Sequence, residues 1–95
     1  MRICYILVFT QEAASHAEMK TYLNDISQVL TWRTDIPNCF YLVAEATSEK
    51  LTDEVRKRTG NKGRFIIAEI NENSNGWLTE ESWYFIRNKR VKPSA

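Results

Sequence analysis

The feature that most constrains this chain is the order in which its hydrophobic rhythm changes. Ile3-Cys4-Tyr5-Ile6-Leu7-Val8-Phe9 is a continuous apolar run, as expected of a central strand covered on both faces. A stripe at helical spacing follows: Met19, Tyr22, Leu23, Ile26, Val29 and Leu30. Ser15, with Glu18 three residues later, is a capping-box signature, so a helix is predicted from His16 to Leu30. Thr31-Trp32-Arg33-Thr34-Asp35-Ile36 suits a short edge strand, and Pro37-Asn38 is a turn signal. Cys39 to Ala46 reads as a strand, with Phe40, Leu42 and Ala44 facing one way and Cys39, Tyr41, Val43 and Glu45 the other, the open side. Thr47 or Ser48 caps a second helix, Glu49 to Thr59, whose thin apolar stripe is chiefly Leu51 and Val55. Gly60-Asn61-Lys62-Gly63 ends that helix, and Arg64 to Ile70 is the last strand.

The order is therefore β-α-β-β-α-β. Two such halves interleave into one four-stranded antiparallel sheet, order 4-1-3-2, with two helices on one face. After the loop from Asn71 to Gly76, Thr79 with Glu80 and Glu81 predicts a short C-terminal helix carrying Trp83, Phe85 and Ile86.

A chain of 95 residues makes a single domain, residues 1–95. Three Trp, four Tyr and four Phe supply enough apolar area for a core without disulfide or metal. A net charge of +1 does not mark the chain as broadly nucleic-acid-like. The apolar run after Arg2 ends at Thr10, with no small-residue cleavage site, and is too short to span a bilayer. Cys4 and Cys39 both lie in strand-like runs and read as reduced core thiols of a cytoplasmic protein. They begin antiparallel neighbours, at opposite ends of the sheet, which forbids a disulfide between them. With no CxxC and His16 as the one histidine, neither a metal nor another cofactor is expected.

No arrangement resembles a nucleophile with its base, and His16 reads as an exposed first-turn residue. The three glycines form no phosphate cradle. Two basic clusters stand out: Arg56, Lys57, Arg58, Lys62 and Arg64, with no acid among residues 55–68, and Arg87, Lys89, Arg90 and Lys92. Both suit phosphate or an acidic surface, and both suit a solvated helix end whose dipole favours cations. The element order also fits single-stranded RNA readers, with Tyr41 as a stacking platform, but their Gly-aromatic run is missing and Glu45 and Glu69 on the open face would repel phosphate.

The succession of an apolar first strand, a long helix, a strand near Trp32, Phe40-Tyr41-Leu42-Val43, Phe65-Ile66-Ile67-Ala68-Glu69-Ile70, the Asn75-Gly76-Trp77-Leu78 turn and Trp83-Tyr84-Phe85-Ile86 resembles a group of small bacterial ferredoxin-like proteins. These are similar in turn to the small subunit of the CRISPR adaptation complex and to the virulence-associated protein D superfamily. The resemblance implies a ferredoxin-like α+β fold, a homodimer, and metal-dependent ribonuclease activity or nucleic-acid binding. It also marks a departure. The nuclease relatives carry an aspartate at the end of the first strand, where this chain reads Leu7-Val8-Phe9-Thr10-Gln11 and offers no carboxylate for a hard metal ion.

The expected function is that of a non-catalytic, dimeric interaction or regulatory protein, with Tyr41 and Val43 in the contact surface of a homodimer. The alternative for that face is that Trp77, Trp83 and Phe85 fold back over it. The runner-up function is a nucleic-acid-binding protein or degenerate nuclease, and a third is a phage- or plasmid-borne modulator of host defence.

Overall fold

The structure, a computed structural model, describes residues 1–93. Its elements run β1 (Ile3–Phe9), α1 (His16–Asp25), β2 (Val29–Arg33), β3 (Cys39–Ala44), α2 (Ser48–Thr59), β4 (Phe65–Glu69) and α3 (Glu80–Asn88). All four strands join one antiparallel sheet, ordered β2-β3-β1-β4, which from the other edge reads 4-1-3-2.

Local chemistry sets most boundaries. Ser15 and Glu18 form the full capping box: the Ser15 hydroxyl takes the Glu18 N–H at 3.0 Å, and Glu18 takes the Ser15 N–H at 2.8 Å. Thr47 and Thr79 cap α2 and α3 through their hydroxyls. Gly60 closes α2 in the left-handed region, at φ 66°.

The first helix is shorter than its stripe predicts. It stops at Asp25, and Val29 and Leu30 belong to β2. Their spacing from Ile26 fits a helix, but Asn24, Asp25 and Ser27 compete for backbone hydrogen bonds, and β-branched Val29 and Thr31 favour a strand. The indole N–H of Trp32 then donates to Asn24 Oδ1 at 2.8 Å and ties β2 to the helix end. The edge strand accordingly runs Val29–Arg33, leaving Thr34 to Ile36 outside it, and β3 ends at Ala44.

Two cores flank the sheet. Toward α1 and α2, Tyr5, Leu7, Phe9, Phe40, Leu42 and Ile67 pack with Met19, Leu23, Leu51 and Val55. The alternation read along β3 holds, since Phe40, Leu42 and Ala44 lie in this cluster. Glu69 is corrected: it pairs with Tyr5, and directly opposed residues share a face, so it lies on the helix side of the sheet.

The other face is not left open. Phe85 and Ile86 of α3 close over Cys4, Cys39, Tyr41 and Val43. Tyr41 and Val43, expected in a dimer contact, are buried beneath the chain's own third helix. A fully buried Phe is stabilising by about 1.5–3 kcal/mol, reason enough for α3 to seat there. Polar anchors hold both of its ends. Ser82, fully buried, donates to the Asp35 carboxylate and accepts from Arg33 Nε at 2.6 Å. At the far end, Arg2 Nη1 donates to the Lys89 carbonyl at 3.3 Å.

Candidate functional site

α3 covers β3 and its side of β1, and leaves the rest of that face bare. Val8 and Ile66 are register partners on β1 and β4 and are both exposed, Ile66 to 62%. The continuous run of β1 is thus covered on both sides only up to Leu7. Beyond the sheet, Ile36 is exposed and Trp77 is 99% exposed.

β4 is also an edge strand. The Arg64 carbonyl takes the Thr10 N–H at 2.9 Å, and the Ile70 N–H reaches the Cys4 carbonyl at 2.8 Å, so even-numbered residues bond inward to β1. By strand alternation, Phe65, Ile67 and Glu69 turn their N–H and C=O groups outward. A row of such groups beside apolar side chains is a template for another strand.

A groove runs between α3, the sheet and the 71–78 segment, with a volume of about 550 Å³. Its walls include Ile6, Ile70, Leu78 and Ile86, with Trp77 and Ile36 at the mouth and Tyr41 within. The segment is braced internally. Asn71 Oδ1 takes the Asn73 N–H at 2.9 Å, the Ser74 hydroxyl donates to the Asn71 carbonyl at 2.7 Å, and Asn75 Oδ1 takes the Gly76 N–H at 2.8 Å. The Arg87 guanidinium lies 4.9 Å from the Trp83 ring centre and fixes that wall. Tyr41 is 2% exposed, and its hydroxyl has no hydrogen-bond partner. Burial pushes this phenol up to about 12, with Cys39 and Asp35 adding and Arg33 opposing. Leaving a buried hydroxyl unpaired costs about 1–3 kcal/mol.

The basic residues converge only in part. Arg58 is spent within the fold, at 2.9 Å from Glu54 Oε1 and 2.9 Å from Asp25 Oδ2. Lys57 and Lys50 also reach Glu54, at 3.4 Å and 3.2 Å. Hydrogen bonds from Arg58 and Lys50 hold the Glu54 carboxyl down at about 2. What remains is Arg56, Lys62 and Arg64, gathered along a groove of about 440 Å³ between α2 and β4 whose walls contain no carboxylate. In the second cluster, Arg90 Nη2 donates to the Tyr84 hydroxyl at 2.9 Å, Arg87 sits over Trp83, and Lys89 is the left-handed cap of α3.

His16 is corrected from exposed residue to structural tie. Its ring stacks on Phe40, with centroids 4.5 Å apart. Nδ1 accepts the Asn38 N–H at 3.2 Å, which assigns the proton to Nε2, 3.4 Å from Thr34 Oγ1. The Thr34 hydroxyl in turn donates to the Cys39 carbonyl at 2.6 Å. The periodicity of α1 gave no signal of this, because the partners come from the β2–β3 turn.

Cys4 pairs with Val43 and Cys39 with Val8, which sets the two cysteines four steps apart along the strands, roughly 13 Å at the usual rise. Both are free and buried, and burial raises both thiols, Cys4 to about 11. Neither is an activated nucleophile. At the end of β1, the Thr10 hydroxyl takes the Arg64 N–H at 3.0 Å. Among the described residues, no group of three or more His, Cys, Asp or Glu stands close enough to hold a metal ion, and no helix is long and apolar enough to cross a membrane.

No family model, no curated protein and no solved structure matches this chain.

Proposed function

We propose that this chain is a non-catalytic interaction protein of ferredoxin-like fold that works as a homodimer, joined through β4 and the bare strip of the sheet. The observation that supports this most is the coincidence of an unpaired edge with exposed apolar side chains on the same strand, Ile66 above all. Charge favours a second copy in antiparallel pairing. A parallel partner would set Arg64 beside Arg64 and Glu69 beside Glu69, each on one face, and an antiparallel one avoids both repulsions. A two-fold axis normal to the sheet then keeps α3 of both copies on one side and extends the sheet to eight strands. Light scattering at micromolar concentration tests this. A particle of twice the chain mass supports it, and a clean monomer overturns it.

A second reading, nucleic-acid binding of the adaptation-subunit type, has one observation in its favour: the acid-free groove of Arg56, Lys62 and Arg64. Three neutralised phosphates would give a slope near −3 in log affinity against log salt on duplex DNA, at about 0.9 each. Binding that shallow is expected to vanish at physiological salt. Metal-dependent cleavage is not expected, since Thr10 stands at the end of β1 where the nuclease relatives carry an aspartate.

A further inference from the structure

The Tyr41 hydroxyl is the buried side-chain polar atom that finds no partner among the described residues, and Tyr41 forms part of the wall of the groove under the 71–78 segment. Native folds rarely leave such a group unpaired without a reason. We propose that this groove binds a small, neutral, planar aromatic molecule bearing a carbonyl, with its ring against Trp77 and its oxygen accepting the Tyr41 hydroxyl proton.

Five observations converge on that chemistry. The groove holds about 550 Å³, inside the range of about 300–1,000 Å³ that small-molecule sites occupy. Its inner walls are apolar, supplied by Ile6, Ile70, Leu78 and Ile86. The lining holds no cationic side chain, and the Glu69 side chain points to the other face of the sheet, so an anion or a lone cation would lose its hydration unpaired against isoleucine and leucine. The phenol is held neutral far above physiological pH and therefore donates. Trp77, almost wholly exposed at the mouth, offers an indole face to a flat ring. The hydrogen bonds within 71–76 and the Arg87–Trp83 contact brace the walls, but the Tyr41 hydroxyl itself is sealed, so the ligand must part the contacts over it and some of its binding energy is spent on that opening. This site stands apart from the dimer contact: it lies under the segment after β4, not along the outer edge of β4.

Three probes of one shape separate the possibilities: benzamide (neutral), benzoate (anionic) and benzamidine (cationic). Each is titrated into the nitrogen-15-labelled chain and followed by amide and indole shifts. Benzamide is expected to saturate with a Kd of about 1 mM, the scale for so small a probe, and to move Ile6, Ile36, the 71–78 amides and the Trp77 indole. Benzoate and benzamidine are expected to bind at least about tenfold more weakly. Tyr41→Phe is expected to weaken benzamide about fivefold without lowering the melting temperature, because the hydroxyl it removes has no partner to lose. Trp77→Ala is expected to weaken all three probes, and its exposure leaves the fold intact. No saturable shift with any probe, a benzamidine preference, or benzamide binding indifferent to Tyr41→Phe would each overturn the proposal. Shifts of the same residues on raising protein concentration alone would do so too, by assigning the groove to a second copy of the chain.

Discussion

The two edges of the sheet are finished differently. At β2 the register slips between Val29 and Thr31, and such an irregularity spoils an edge as a template. Trp32 is bonded to Asn24 and packs edge-on against Phe40. Arg33 reaches across to Ser82 and Thr79 of the α3 cap. At β4, five consecutive residues pair with β1 without a break, and Ile66 faces solvent. One edge is thus closed by tertiary contacts, and the other is left regular and apolar. The difference shows that this sequence can blunt an edge and does so at only one of two.

The largest effect is expected where α3 meets the closed half. Phe85→Ala should cost about 3–5 kcal/mol and unseat the helix, baring Tyr41 and Val43 so that the covered half comes to resemble the open one. Chemical denaturation and dye binding to exposed apolar surface would check this. An unchanged midpoint would mean that α3 contributes little to holding the sheet.

Next comes the junction that sets β4 against β1. Gly63 has φ 68°, and a Cβ there would collide with the backbone nitrogen of Ala13. Gly63→Ala should therefore destabilise by about 1–3 kcal/mol, with loss of exchange protection concentrated in β4.

A smaller effect, confined to acid, belongs to the helix beneath the open edge. The Glu54 carboxyl lies at about 2 in the fold, against an ordinary value of 4.5. A carboxyl depressed in the fold stabilises above its unfolded value and loses that stabilisation as pH falls through its folded one. The melting temperature should thus fall between pH 4.5 and about 2 through this group, and Glu54→Gln should flatten that part of the profile. Equal acid slopes for the two proteins would detach Glu54 from the stability of α2.

The smallest change in stability, within about 0.5 kcal/mol, is expected from Ile66→Lys on the exposed face of β4. Its consequence is for assembly: a charge on the edge should shift the dimer to monomer in light scattering. A variant that stays dimeric would place the contact elsewhere.

What the sequence revealed follows from range. The capping box at Ser15, the turn at Gly60 and the alternation along β3 depend on neighbours a few residues apart, and each is legible. The end of α1 is not, because Val29 and Leu30 satisfy helical spacing while their actual partner is Ala44 and its neighbours, at a distance in sequence. Glu69 misled for a related reason: its face is set by pairing with Tyr5, and a one-residue difference in register reverses the side. The Tyr41–Val43 face read as open because the aromatic tail could bury itself either within the chain or against another copy. The Arg33–Ser82–Asp35 cluster that fixes the outcome joins residues from β2, the turn and α3. Of the groove, the loop from Asn71 to Gly76 was legible, but Trp77, offered with Trp83 and Phe85 as folding back over the sheet, stands exposed, and the orphaned hydroxyl of Tyr41 emerges only when α3 is in place.

The burial of Cys4 and Cys39 under α3 has a use of its own. A thiol reagent cannot reach either sulfur while the helix is seated, so the pace of modification at fixed reagent concentration becomes a clock for how often that cap lifts. When reclosing outruns modification, the rate gives the free energy of that single opening, without unfolding the sheet. Because the two sulfurs lie at opposite ends of the covered half, unequal rates would reveal from which end the helix peels first.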